Sequence, residues 1–160
     1  MTEINLVPII PKKFLTLNLT RIIENQLEEN AKAIKVDFEV TTRTWKERPS
    51  FFIKKIPDGR RIYTDNQVYL WVSGGTKPHK ISARNAERLA FFATGFRAKT
   101  RPRWIGSNKG HNANKDFTRP KSVNHPGTTA REFDTTIKEK WDKEAPRQFL
   151  RALRAELRKS

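Results

Sequence analysis

Residues 20–45, TRIIENQLEENAKAIKVDFEVTTRTW, carry the clearest periodic pattern in this chain. Apolar side chains recur at spacings of three, four or seven with Glu and Lys between them, which is typical of an amphipathic helix. Thr20 is the expected N-cap, and Pro49 ends the pattern. A helix of about 27 residues is roughly 40 Å long, so the pattern predicts a helix that crosses one whole face of a small domain. The recurring positions are Ile23, Leu27, Ala31, Ile34, Phe38 and Trp45.

The segments that follow this pattern are rich in aromatic and β-branched residues and are separated by turn signals. Pro57-Asp58-Gly59 and Asp65-Asn66 are both expected to be tight turns. The sequence therefore predicts a small antiparallel sheet. Its expected strands are Ser50–Ile56, Arg61–Thr64, Gln67–Ser73 and Leu89–Phe92.

The C-terminal part of the chain returns to a helical pattern. Thr129-Ala130-Arg131-Glu132 matches a capping box, and an apolar stripe of Phe133, Ile137 and Trp141 follows it. Pro146 interrupts the pattern, which predicts either two helices or one kinked helix. The fold class expected for the 160 residues is α+β in a single domain, with a small antiparallel sheet packed by a long N-terminal helix and C-terminal helices. Three of the four Trp residues are expected in the core: Trp45, Trp71 and Trp141.

Two further segments lack a regular pattern. Residues 1–16 contain Pro8 and Pro11 and are expected to form an extended arm. Residues 97–121 carry eight Lys or Arg residues and one Asp, and are expected to form a long basic loop. The chain has a formal net charge of +16, which predicts an acidic partner such as nucleic acid or an acidic protein surface. The expected DNA or partner contacts are Arg97, Lys99, Arg101, Arg103, Trp104, Lys109, Lys115, Arg119 and Lys121.

Two short clusters each place a His beside a Pro and close to a Gly-Thr pair. Two His residues brought together could bind a metal or act as acid and base. Neither cluster contains Asp or Glu, and a two-His site without an anionic ligand holds a divalent metal weakly. We therefore interpret both clusters as structural turns and predict no catalytic residue, cofactor or metal. Their residues are Gly75, Thr76, Pro78 and His79 in the first cluster, and His125, Pro126, Gly127 and Thr128 in the second.

The composition also bounds the function. The chain has no Cys, so disulfides and thiolate metal sites do not hold the fold. No apolar stretch approaches 18 residues, which predicts no membrane span. Zinc-finger spacing, an aromatic RNA-recognition signature and a clear helix-turn-helix pattern are all missing, so readout of specific bases is not expected.

The order of these segments, with the residues at their joints, resembles a family of phage proteins. These are the small neck or tail-completion proteins of long-tailed bacteriophages, also described as minor tail or head–tail joining components. The likeness spans residues 20–155, and the two His-Pro clusters carry most of its specificity. The resembling residues are Thr44-Trp45-Lys46, Pro49 and Phe51; Tyr69–Val72 and Gly75–Ile81; Leu89-Ala90-Phe91; and Val123–Thr128, Ala130-Arg131 and Phe133.

The resemblance implies a structural virion component with no enzymatic activity. Family members assemble as a homo-oligomeric ring, expected to be a hexamer, between head-completion proteins and the tail-terminator or tail-tube proteins. Genomic DNA passes through the centre of the ring. The expected location is the virion neck, after synthesis in the host cytoplasm.

Two other functions stay open on the sequence. One is an accessory protein that binds nucleic acid without sequence preference through residues 97–121, since each phosphate neutralised by a cation releases counterions. The other is a small metal-dependent hydrolase that uses His79 and His125.

Overall fold

The computed structural model describes residues 2–6, 17–92, 100–107 and 117–157. The fold is an α+β arrangement, which confirms the expected class. None of the described helices combines the length and the apolar character that crossing a bilayer requires. The elements are β1 (Thr2–Leu6), α1 (Leu17–Thr42), β2 (Phe52–Ile56), β3 (Gly59–Thr64), α2 (Gln67–Gly74), β4 (His79–Ser82), β5 (Phe91–Phe92), β6 (Phe117–Thr118), β7 (Ser122–His125) and α3 (Phe133–Leu157).

The long helix α1 follows the periodic pattern and presents its apolar stripe to the sheet and to α3. It begins at Leu17, so the expected N-cap, Thr20, lies inside the helix and that prediction was wrong. At its C-terminal end the hydroxyls of Thr41 and Thr42 donate to the carbonyl oxygens of Asp37 and Phe38, at 2.8 and 3.2 Å. These bonds satisfy two buried hydroxyls and let β-branched residues close a helix.

The main sheet has the strand order β1-β3-β2, and both pairs are antiparallel. The start of the expected arm is therefore an edge strand, since Thr2–Leu6 pairs along β3 from Thr64 to Arg60. The rest of the arm, residues 7–16, lies outside the described residues. In the central strand, Ile62 is buried beneath the helices. Arg60 is also buried, and its guanidinium donates to Glu28 of α1 at 2.9 Å.

Residues 67–74 form a helix, although the sequence predicted a strand there. The expected turn residue Asn66 is the N-cap, because its side chain accepts a hydrogen bond from the Tyr69 N–H at 2.8 Å. The helix places Tyr69 and Ser73 together on its buried face. Capping and burial of this face outweigh the β-propensity of the segment.

The C-terminal segment is one helix, α3, and it runs through Pro146. It begins at Phe133, so Thr129 does not cap it and the predicted capping box was wrong. Glu132 instead adopts a positive φ of 53° and donates its N–H to the Ser73 carbonyl at 2.9 Å. The end of α2 therefore fixes the point at which α3 starts.

One core joins α1, α3, the sheet and α2. Trp141 is buried and Trp45 packs against the core, as expected. Trp71 is 53% exposed, so its expected place in the core was wrong, because a helix rather than a strand carries it. The core residues are Ala31, Ile34, Phe38, Phe51, Ile62, Tyr69, Phe133, Ile137 and Trp141.

Candidate functional site

The two His-Pro clusters lie against each other in the fold. Strands β4 and β7 pair antiparallel, with His79 directly opposite His125. Beyond the strands, the N–H of Thr76 donates to the Thr128 carbonyl at 2.9 Å, and the N–H of Thr128 donates back at 3.1 Å. The clusters therefore form one two-stranded unit, which we call the His ribbon (residues 75–82 and 122–128).

Each cluster contains a glycine that lies too close to the backbone of the other cluster to carry a side chain. Gly75 has φ 74° and Gly127 has φ 89°, both in the region that side chains rarely adopt. A Cβ on Gly75 would lie 2.7 Å from the Thr128 carbonyl oxygen, and a Cβ on Gly127 would overlap the Thr76 carbonyl oxygen. The bracing of the ribbon is therefore reciprocal.

Backbone hydrogen bonds engage both imidazoles through Nδ1, in opposite senses. His79 Nδ1 lies 2.8 Å from the Lys77 carbonyl oxygen, which only accepts, so this Nδ1 carries a proton. The Gly127 N–H donates to His125 Nδ1 at 3.0 Å, so in that ring Nε2 carries the proton. The ring centroids are 5.1 Å apart. His125 therefore presents an N–H donor at Nε2.

This arrangement bears on the metal hypothesis. To bind a metal through Nε2, His125 would have to move its proton to Nδ1, where it would face the Gly127 N–H. His79 could bind a metal through Nε2 and keep its backbone contact at Nδ1. Within the part of the chain that the structure describes, no group of three His, Asp or Glu side chains is placed to hold a metal ion.

A groove of about 460 Å³ lies between α2 and the His ribbon. Val68 and Trp71, which are 50% and 53% exposed, form its α2 wall. Because strand residues two apart share a face, Ile81 and Val123 continue the same side of the ribbon. The lining residues are Val68, Trp71, Val72, Thr76, Lys77, His79, His125 and Thr128.

Residues 100–107 of the expected basic loop pack against the core. In residues 100–107, Thr100 is buried, and the Gly106 N–H donates to the Thr41 hydroxyl at 3.1 Å. Arg103 lies 3.3 Å from both Glu132 and Glu139, so nearby carboxylates balance its charge. Trp104 is 57% exposed and Arg101 is exposed.

Residues 117–121 include a short strand where the sequence predicted only loop. Strand β6 pairs with β5, and the Leu89 N–H donates to the Pro120 carbonyl at 2.9 Å. The expected strand Leu89–Phe92 is accordingly reduced to Phe91–Phe92. Arg119 and Lys121 are exposed, and the Arg119 guanidinium lies 5.8 Å from the centroid of the Phe117 ring. Four expected contact residues lie outside the described residues: Arg97, Lys99, Lys109 and Lys115.

The sequence missed Val68 and Trp71 as candidate site residues. Trp71 was expected in the core as a strand residue, whereas as helix residues three positions apart Val68 and Trp71 share an outward face. The signal that could have identified them is Asn66, read as a helix N-cap rather than as a turn residue.

We compared the chain with protein-family models, with curated proteins and with solved structures, and no family model, curated protein or solved structure matches it.

Proposed function

We propose that this protein is a structural component of a tailed-phage virion, a neck or tail-completion subunit of the ring at the head–tail junction. In this role its chemistry is contact with neighbouring proteins, and no residue performs catalysis. The partners are further copies of the chain, head-completion proteins and tail-terminator or tail-tube proteins, with genomic DNA passing through the ring.

The observation that carries this proposal is the reciprocal bracing of the His ribbon. The two clusters on which the family resemblance depends form one unit, held by the paired Thr76 and Thr128 backbones. Both imidazoles use a ring nitrogen to bind the backbone of their own turns. Histidines used in this way support a structural role for the clusters.

The surface gives further support. Phe52, Val68, Trp71, Trp104 and Phe117 are each between 45% and 58% exposed. Aromatic side chains are common anchors of protein interfaces, because they remove a large apolar area from water at low entropic cost. An assembly protein with several neighbours requires several such contact points.

The test is deletion of the gene in a phage that encodes this protein, followed by negative-stain imaging of the lysate. We expect separate DNA-filled heads and tails, which join when the purified protein is added. Protein with Gly127→Ala should join them poorly, and protein with Gly74→Ala should join them normally, because only the first change disturbs the ribbon. Joined virions in the deletion lysate would refute the proposal.

A second candidate function is nucleic-acid binding without sequence preference. The observation in its favour is that the exposed Trp104 directly follows two exposed cations, Arg101 and Arg103. Bases stack on aromatic rings while cations pair with phosphates. The two carboxylates beside Arg103 weaken this candidate, since they compete with phosphate for that guanidinium.

A further inference from the structure

The outward face of α2 gives the groove an apolar wall that the core does not use. Val68 and Trp71 are about half exposed, whereas Tyr69 and Ser73, on the opposite face of α2, are buried. Leaving an indole ring in water forgoes the stabilisation that burial would give, at about 25 cal/mol per Å² of apolar surface. The wall is therefore suited to receive an apolar side chain from another molecule.

The charge near the groove is predominantly positive. Residues 66–86 and 117–131, which include all the lining residues, contain three Lys or Arg residues each and no Asp or Glu. Beyond the second range, Asp134 accepts a hydrogen bond from the Ser73 hydroxyl at 2.5 Å and Glu132 pairs with Arg103. A molecule in the groove therefore meets an excess of positive charge, which favours an acidic occupant.

The lining of the groove favours a polypeptide over a nucleic acid. Lys77 is the one Lys or Arg among the described residues that line it, and the α2 wall is apolar. Nucleic-acid binding depends mainly on several phosphate contacts, whereas a peptide can combine one apolar anchor with a few charged contacts. His125, whose Nδ1 accepts from the Gly127 N–H, carries an N–H at Nε2 that can donate to a peptide carbonyl.

We propose that this groove binds an acidic segment of a different protein, with one apolar side chain of that segment packed against Val68 and Trp71. The basic residues around the groove attract the flanking carboxylates, and His125 donates a hydrogen bond to the backbone of the segment. A second copy of this chain is the poorer occupant of this groove, because Glu24, Glu28 and Glu29 of its acidic stretch already pair with its own Lys and Arg residues. Copies in the ring would contact one another through other surfaces. The inference deepens the proposed function and rests on it only in treating the chain as an assembly protein.

The test is fluorescence anisotropy of labelled synthetic peptides added to the full chain at physiological ionic strength. The probe is the acidic peptide acetyl-DEDEFDEDE-amide. One control replaces the central Phe with Ala, and a second keeps the Phe but replaces all the acidic residues with Lys. We expect the probe to bind about ten-fold more tightly than the Ala control and the Lys control not to bind.

Matched variants locate the binding. Trp71→Ala should weaken binding of the probe by about ten-fold. Trp104→Ala, which removes an equally exposed indole outside the groove, should leave the affinity for the probe unchanged. Val68→Ser and Val36→Ser form a second pair, since the two valines are 50% and 52% exposed and only Val68 lines the groove. Circular dichroism of each variant establishes that it is folded.

Four results would overturn the inference. They are no binding of the probe, equal binding of the probe and its Ala control, binding of an oligo-dT strand that Trp71→Ala weakens, and self-association of the chain that Trp71→Ala abolishes. The third result would identify a nucleic acid as the occupant, and the fourth a second copy. If the probe does not bind but the deletion lysate contains separate heads and tails, the groove proposal is rejected and the proposed function is kept. If the probe binds but the deletion lysate contains joined virions, the proposed function is rejected and the groove proposal is kept.

Discussion

Replacing Tyr69 with Phe should stabilise this protein, and the gain should grow at alkaline pH. The Tyr69 ring is fully buried and packs against Phe51 and Phe133 at centroid distances of 5.2 and 5.9 Å. Its hydroxyl has no hydrogen-bond partner among the described residues; the nearby Ser73 hydroxyl donates to Asp134 instead. A buried unsatisfied polar group costs about 1–3 kcal/mol. Since Phe keeps the ring, Tyr69→Phe should gain about 1 kcal/mol near neutral pH.

The pH dependence follows from ionisation of the same group. Burial, reinforced by the charge of Asp134 and only partly opposed by Ser73, raises the pKa of Tyr69 far above its ordinary value. Below about pH 10 the phenol is protonated in both the folded and the unfolded state, so its contribution is constant. Above about pH 10 only the unfolded state loses the proton, so wild-type stability falls by about 1.4 kcal/mol per pH unit until the folded pKa is reached. Tyr69→Phe lacks this loss.

The assay is urea unfolding of both proteins at a series of pH values from neutral to about pH 11.5. Taking the difference between wild type and variant removes the titration of the many Lys residues that the two share. Tyr63→Phe, which removes a half-buried hydroxyl, is the control for loss of a phenol. A variant less stable than wild type by about 1 kcal/mol at neutral pH would show that the hydroxyl has a partner, and a flat difference above about pH 10 would refute the assigned pKa shift.

Three more results can be expected. In thermal unfolding, Gly127→Ala should destabilise the protein by about 1–3 kcal/mol through its positive φ alone, and overlap of the new Cβ with the Thr76 carbonyl should add to this loss. Gly74→Ala, whose Cβ would meet nothing within 4 Å, should change stability by less than about 1 kcal/mol. Asp37→Ala should lower the free energy of unfolding in urea by about 2–3 kcal/mol, because it leaves the Trp141 indole N–H, which lies 2.8 Å from the carboxylate, buried and unpaired. Asp37→Asn should lower it by less. Equal losses for the two variants would show that the charge of Asp37 dominates. For the nucleic-acid candidate, Arg101→Ala with Lys121→Ala should flatten the salt dependence of oligo-dT binding by about 0.7 per lost phosphate contact, and an unchanged slope would place the contacts elsewhere.

Local rules in the sequence identified α1, the hairpin of β2 and β3, and the helical character of the C-terminal segment. Regular apolar spacing is a local signal, so the stripe that includes Ile34 and Phe38 could be read directly as a buried helix face. The strands on either side of Pro57-Asp58-Gly59 were readable for the same reason, since the turn residues fix the hairpin. The N-terminal boundary of α1 was not readable, because a helix can extend past a plausible cap.

The errors arose where distant residues determine local structure. Segment 67–74 has strand propensity, yet it is a helix because the core accepts Tyr69 and Ser73 on one helical face. The start of α3 at Phe133 depends on the hydrogen bond from the Glu132 N–H to the Ser73 carbonyl. Ser73 is distant in the sequence, so a local capping rule cannot detect this bond. The candidate groove could not be predicted from the sequence for the same reason, because the exposure of Trp71 depends on the helix α2 that the sequence did not predict.

At the Ser82–Ser122 end of the His ribbon, the length of the connecting segment has little effect on the strand pairing. Ser82 and Ser122 are register partners, so the segment between them leaves and re-enters the domain at two adjacent points. Lengthening such a segment costs only about 0.6 kcal/mol of loop-closure entropy for each doubling. Residues could therefore be inserted between these serines, outside residues 100–107 that pack against the core, at little cost to the fold. Such insertions would fit one scaffold to different neighbours.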